Sequence, residues 1–253
     1  MKIAALTHVR NDDAFLDVWV KYYGGILGLQ NLFIILDGDD WEPLADLTGT
    51  NVIVEGGQRG GRVFTDQKMS EARLRVIDDV FAKDFDFIVV GDCDELLMLD
   101  VRKNSTFQAE AAKLADDGYT YLLGLDLVQH PEKEKDLDPA FPLLTQRNYG
   151  LVSQSYSKVG IIGKAFVETN KKLFRGGHKI RGGRVSFKTD LYLLHLALCN
   201  EPWSDIRAKS RSKNVRQASF LRWIETRDGV KKRLLDSAPV SLASVIETAK
   251  HQI

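Results

Sequence analysis

The stretch from Phe85 to Leu99 constrains this chain more than any other. Phe87-Ile88-Val89-Val90 is β-branched and aromatic and has the length of a buried strand, yet it runs through Gly91 into Asp92-Cys93-Asp94-Glu95 before turning apolar again. A buried strand has no reason to end in a carboxylate cluster unless something cationic meets it there. In an extended chain Asp92 and Asp94 project from one face and Cys93 from the other. Two carboxylates that close repel, and one is driven toward its protonated form unless a cation lies between them. A hard divalent ion, Mn²⁺ or Mg²⁺, removes that penalty, and phosphate oxygens of a nucleotide complete its shell. The plainer alternative is a strand end and a helix N-terminus, where the helix dipole favours acids.

The segments before this stretch alternate. Ile3 to Val9 reads as a buried strand ending in Thr7-His8-Val9-Arg10-Asn11-Asp12-Asp13. Phe15, Trp19, Tyr22, Tyr23 and Ile26 then recur at helical spacing until Gly28. Leu32 to Leu36 is a second strand, ending in Asp37-Gly38-Asp39-Asp40, and Val52 to Val54 a third. A loop carrying Gly56, Gly57, Gly60 and Gly61 leads to a helix over Asp66 to Phe81 with Met69, Ala72, Leu74, Val76, Ile77 and Val80 inward. Strands alternating with helices imply βαβ units and a mostly parallel sheet with helices on both faces. In such a sheet a ligand lies beyond the carboxyl ends of the strands. Three of those ends carry polar clusters.

These motifs, taken in order, resemble GT-A-fold glycosyltransferases of the family-2-like subgroup with a D-x-D-E motif. His8-Val9-Arg10-Asn11-Asp12 through Trp19 is similar to the family's N-E-x-x-x-L-x-x-W opening, with Asp12 where Glu is usual. Phe33 to Asp39 resembles its second strand, and Asp66-Gln67-Lys68 followed by Asp92-Cys93-Asp94-Glu95-Leu96 completes the order. The resemblance implies a GT-A-type, Rossmann-like fold over residues 1–253. It would have a nucleotide-binding half at 1–100, an acceptor and metal half at 101–200 and a helical C-terminal extension at 201–253. It implies that Thr7, Arg10, Asn11, Asp37, Gln67 and Asp92 line the nucleotide site. Asp92 and Asp94 would hold Mn²⁺ or Mg²⁺, with His195, a late histidine in Leu191-Tyr192-Leu193-Leu194-His195-Leu196, completing the shell.

Beyond residue 100 a helix is expected from Phe107 to Ala115 and a strand from Tyr119 to Val128. Asp126 lies inside that apolar strand, where a carboxylate is expensive unless paired. It is either salt-bridged or the base that takes a proton from the acceptor, with Asp190 and Glu201 as further candidates. Lys171 to Lys188 holds seven basic residues, no acid and two glycine pairs. Arg175, His178 and Lys179 there would meet the diphosphate of the donor, unless the stretch is a solvated hairpin. Past Trp203 the chain reads as helical and basic.

The expected activity is therefore metal-dependent transfer of a sugar, with inversion, from a UDP- or GDP-sugar to a glycan, lipid-linked or small-molecule acceptor. The alternatives are a sugar nucleotidyltransferase and a non-catalytic domain that binds carbohydrate or a partner. Arginines closing on the acids, with no cleft in front, would count against transfer. With 35 basic and 35 acidic side chains in 253 residues, the charge balance argues against a nucleic-acid binder. No apolar stretch is long enough to span a bilayer, and the two cysteines, Cys93 and Cys199, lack metal spacing; a cytoplasmic protein is expected.

Overall fold

The computed structural model describes residues 1–56, 62–100, 102–114, 116, 118–169, 173–174, 178–212, 225, 228–230, 232 and 240–241. Its centre is a mixed, mostly parallel sheet. β1 (Ile3–Val9), β2 (Leu32–Asp37), β3 (Asn51–Glu55) and β4 (Phe87–Asp92) run parallel in the order β3-β2-β1-β4. The sheet then continues through β7 (Tyr149–Gly163), β6 (Tyr119–Val128) and β10 (Leu191–Leu198) to β5 (Glu95–Leu99). β7 is antiparallel to both β4 and β6, while β6 and β10 are parallel to each other. It follows that β6 and β10 point the same way as β4, and the carboxyl ends of six strands gather at one end of the sheet. β8 (Leu173–Phe174) and β9 (Lys179–Ile180) form a separate two-stranded ladder.

Helices cover both faces, as the alternation predicts. α1 (Asp13–Leu27) buries Phe15, Leu16, Trp19 and Tyr23 against Ala5, Ile34, Leu36 and Val89. α2 (Arg62–Ala82) buries Ala72, Val76, Ile77 and Val80 against Leu6, Phe33, Ile35, Ile88 and Val90. Because side chains alternate along a strand, consecutive residues of β1 and β4 serve the two cores in turn, and both strands read as continuous apolar runs. Each fully buried aliphatic side chain contributes about 1.5–3 kcal/mol. α3 (Phe107–Ala111), capped by the Thr106 hydroxyl, and the short α4 (Ala165–Glu168) lie at the other end of the sheet.

Several expectations needed revision. The helix expected to reach Ala115 ends at Ala111. The plainer alternative for the acids, a helix N-terminus, is not met either: the chain from Glu95 forms the strand β5, paired antiparallel with β10. The C-terminal extension begins as the helix α5 (Glu201–Ser212), but Val240–Ser241 form β11 on the edge of β7, so the tail is not helical throughout. No helix among the described residues is long and apolar enough to cross a membrane.

Candidate functional site

The site is built where β1, β2 and β4 end. Parallel register sets His8 of β1 beside Asp92 of β4 and Val9 beside Leu36 of β2, so the polar ends that follow are neighbours in space. Asn11 has a left-handed backbone, φ 50°, which asparagine tolerates, and it turns the chain from β1 into α1. Arg10 donates to the main-chain carbonyl of Asp37 and makes two bonds of 3.0 Å to the Asp40 carboxylate. Asp37 therefore meets Arg10 through its carbonyl, which also accepts from the Trp41 indole at 3.1 Å. Thr7 and His8 are buried, and among the described residues neither the Thr7 hydroxyl nor either ring nitrogen of His8 has a hydrogen-bond partner. Burial first, and Arg73 second, push the His8 imidazole down to about 3, so it stays neutral.

β4 stops at Asp92, and the next residues turn before β5 begins at Glu95. A Cβ at Gly91 would stand 3.1 Å from the Glu95 Oε2 atom, which accepts the Asp92 N–H at 2.8 Å, so glycine lets that carboxylate sit close without shifting. The turn separates the surroundings of the two aspartates, which an extended strand would place on one face. Asp92 lies on the α2 side. Arg73, 1% exposed, donates to its Oδ1 at 2.5 Å. The ammonium of Lys158, itself 1% exposed, is 3.4 Å from Asp92 Oδ2 and 2.8 Å from Glu95 Oε1. His178 Nε2 is 4.0 Å from Asp92 and accepts from Lys158 at 3.5 Å. Burial works against the Asp92 charge, but Lys158 and Arg73 outweigh it and hold the carboxyl well below its usual range. Burial likewise opposes the Lys158 charge and is outweighed by Asp92 and Glu95, which raise its pKa.

Asp94 lies on the α1 and α5 side. It accepts from Arg207 Nη1, and His195 Nε2 is 3.1 Å from the same oxygen. The other ring nitrogen, Nδ1, is 2.7 Å from Asp126. Arg207 also reaches Asp12 with its Nε at 2.9 Å, and its guanidinium lies 5.2 Å over the Phe15 ring. Phe15 in turn meets Trp203 edge-on, which seats α5 against α1. Tyr156 stacks on His195 with centroids 3.4 Å apart. A Cβ at Gly124 would come within 2.4 Å of the Tyr156 carbonyl carbon, so glycine is required for that strand crossing. Burial disfavours charged His195, but Asp94 and Asp126 overcome it and raise the imidazole to about 9.

The residues singled out in the sequence divide accordingly. Thr7, Asp92, Asp94, Asp126, His178 and His195 gather at the carboxyl end of the sheet, with Arg10, Asn11 and Asp37 on the adjoining loops. Gln67 is exposed on α2 and bonds Glu71 at 2.9 Å, and Lys179 is exposed on β9. Arg175 lies outside the described residues. Asp190 precedes β10 and accordingly sits at the opposite end of the sheet, near Lys103 and Lys113. Sequence reasoning missed Arg73, Lys158 and Arg207. Arg73 was discoverable: it falls four residues after Met69 and three before Val76, on the apolar stripe of α2, where a charge needs a buried partner.

Asp92, Asp94 and Glu95 each bring a ligand atom within 4.8 Å of the others, a spacing that one ion can share. The relief expected from Mn²⁺ or Mg²⁺ is nevertheless supplied by the protein. Arg73 and Lys158 hold Asp92, Lys158 faces Glu95, and Arg207 with His195 holds Asp94. As arranged, these donors do not fit a divalent ion unless one of those cations moves aside.

No protein-family model matches the chain, and no curated protein sequence matches it. Solved structures similar to it include the crystal structure of mannose-1-phosphate geranyltransferase from Thermus thermophilus. That likeness has 14% identity, spans 100% of this chain and 72% of that one, and has a TM-score of 0.30. Another is a structure from Bacillus anthracis in complex with sucrose, described as a glucose-1-phosphate thymidylyltransferase. It is 11% identical over 86% of this chain and 77% of that one, with a TM-score of 0.31. At these values neither likeness carries an argument about what this chain does.

Proposed function

We propose that the chain is a transferase acting on a nucleotide-linked sugar, moving the sugar from a UDP- or GDP-sugar to a hydroxyl of a glycan, lipid-linked or small-molecule acceptor. The observation that supports this best is the row of polar groups across neighbouring strand ends, His8 on β1, Asp37 on β2 and Asp92 on β4, with Thr7 on the opposite face of β1. A structural turn needs one or two such groups, and a ligand laid across parallel strands meets several at once. Thr7 and His8 strengthen the reading, because among the described residues their buried polar atoms have no partner, and such atoms cost about 1–3 kcal/mol each and are expected to meet a ligand or water.

In this reading Thr7, Arg10, Asn11, Asp37 and Gln67 bind the nucleoside, and the Asp92 cluster faces the ribose and diphosphate. Arg175, His178 and Lys179 approach the diphosphate from the basic segment. Inverting transfer needs one group to take the acceptor proton. Asp126 is that group, with His195 fixing the direction of its carboxylate. His195 itself is charged at neutral pH and has no lone pair to offer.

Thermal shift with UDP, GDP, UTP and GTP, each with and without Mn²⁺, tests the proposal, because a ligand of the native state raises the melting temperature by mass action. Stabilisation by a nucleoside diphosphate is expected. Preference for a triphosphate would replace the reading with nucleotidyl transfer, and silence across the panel would leave a domain that binds carbohydrate or a partner.

A further inference from the structure

We propose that the ammonium of Lys158 is the resident cation of the acidic cluster, so that the native chain holds no divalent ion there and removal of Lys158 turns the cluster into a divalent-metal site. The observation is a position. Lys158 is buried in β7, and its nitrogen sits between Glu95 Oε1 at 2.8 Å and Asp92 Oδ2 at 3.4 Å, on the cluster whose ligand atoms lie within 4.8 Å of one another. An ammonium has three protons and no lone pair; this one has hydrogen-bond partners in Asp92 Oδ2 and, at 3.5 Å, His178 Nε2, and forms an ion pair with Glu95 Oε1. It is therefore committed to the cluster and does not reach outward to a phosphate.

Divalent ions and the ammonium compete for the same oxygens. A buried lysine fixed by two carboxylates is displaced only if the entering ion repays both its own dehydration and the cost of an unpaired buried ammonium. On the other side Arg207 and His195 hold Asp94 in the same manner, leaving no carboxylate of the motif uncommitted. The role of Lys158 is then to cancel the field of Asp92 and Glu95, so that an anion can approach the strand ends. In the nucleotide reading that anion is the diphosphate, but the ion chemistry does not depend on it.

The experiment measures free Mn²⁺ by its paramagnetic resonance signal during titration of the purified full chain, without nucleotide. The native chain is expected to leave the signal undiminished, and Lys158→Met to bind one ion at least about tenfold more tightly than native, a difference of about 1.4 kcal/mol. That uptake is lost again on adding Asp92→Asn. Lys158→Gln, which puts a neutral amide on a shorter side chain, serves if the methionine variant does not fold, as judged by circular dichroism. Depletion of the signal by the native chain that Asp92→Asn abolishes overturns the proposal. So does a folded Lys158 variant that binds no better than native. A native chain that binds nucleotide yet takes up Mn²⁺ would sink this inference alone, and one that binds neither would sink only the nucleotide reading.

Discussion

Asp92 and Asp94 stand two residues apart and belong to different halves of the molecule. Asp92 faces α2, where Arg73 and Lys158 hold it, its side chain stays 27% exposed, and the histidines nearby, His8 and His178, are pushed down to about 3 and about 4. Asp94 faces α1 and α5, with a side chain 3% exposed, and the histidine beside it, His195, is raised to about 9. Burial acts alike on all three rings, disfavouring charge. For His8 and His178 burial is the largest cause and the nearby cations add to it, whereas at His195 two carboxylates reverse its effect. His195 touches two carboxylates, whereas His8 and His178 sit next to Arg73 and Lys158 respectively. One short acidic motif thus meets a cation-rich environment on one side of the sheet and an anion-rich one on the other.

The comparison breaks most directly at the arginines. Arg207→Met leaves Asp94, with a side chain 3% exposed, and Asp12 without their guanidinium, and a destabilisation of about 3–5 kcal/mol is expected in urea unfolding. Arg73→Met leaves Asp92 with Lys158 at 3.4 Å and partial access to solvent, so the loss should be about 1–2 kcal/mol. If the two costs came out equal or reversed, the exposure difference between the halves would not be the controlling variable.

Titration separates the halves by sign. His195 has its pKa raised from 6.5 to about 9 in the folded protein, so its contribution is complete below pH 6.5 and is lost as pH rises toward 9. Integrated over that window the loss is about 3 kcal/mol. His8 is depressed from 6.5 to about 3, so its contribution is complete above pH 6.5 and lost as pH falls toward 3. Unfolding free energy measured against pH should therefore drop on both sides of a neutral maximum. His195→Gln should flatten the alkaline arm and leave the acid arm, and His8→Gln should relieve only the acid arm. An alkaline slope that survives His195→Gln would place the charge network elsewhere.

Much of the frame can be read from the chain. β1, β2, β6 and β10 are mostly apolar runs broken only by a few polar residues such as His8, Asp126 and His195, and α1 and α2 keep a helical stripe over several turns, so period and length suffice. β7 escapes such reading because its first half alternates poorly and its pairing with β6 slips twice. The acidic motif announces that cations are required but not where they come from. Arg73, Lys158 and Arg207 lie 19, 66 and 113 residues from the aspartates they hold; the apolar stripe of α2 marks Arg73 as needing a buried partner, but it does not say which carboxylate that partner is. Asp126 shows the same limit. A carboxylate in an apolar strand demanded a partner, and the partner is His195, one strand over in register and 69 residues away.

The weakest effect calibrates the others. Asp17 and Lys21 form an ion pair of 2.7 Å on the surface of α1, a distance as short as most in the buried networks, yet their side chains are 43% and 68% exposed. If distance alone governed the cost of losing a charge, Lys21→Ala would rank with the arginine substitutions. Screening by water and the entropy of two ordered side chains reduce such a pair to about 0.2–0.5 kcal/mol, and alanine's better helix propensity offsets part of that. Chemical unfolding of Lys21→Ala beside Arg73→Met and Arg207→Met then gives three broken ion pairs ordered by exposure. A cost above about 1 kcal/mol for Lys21→Ala would mean that burial is not what distinguishes them.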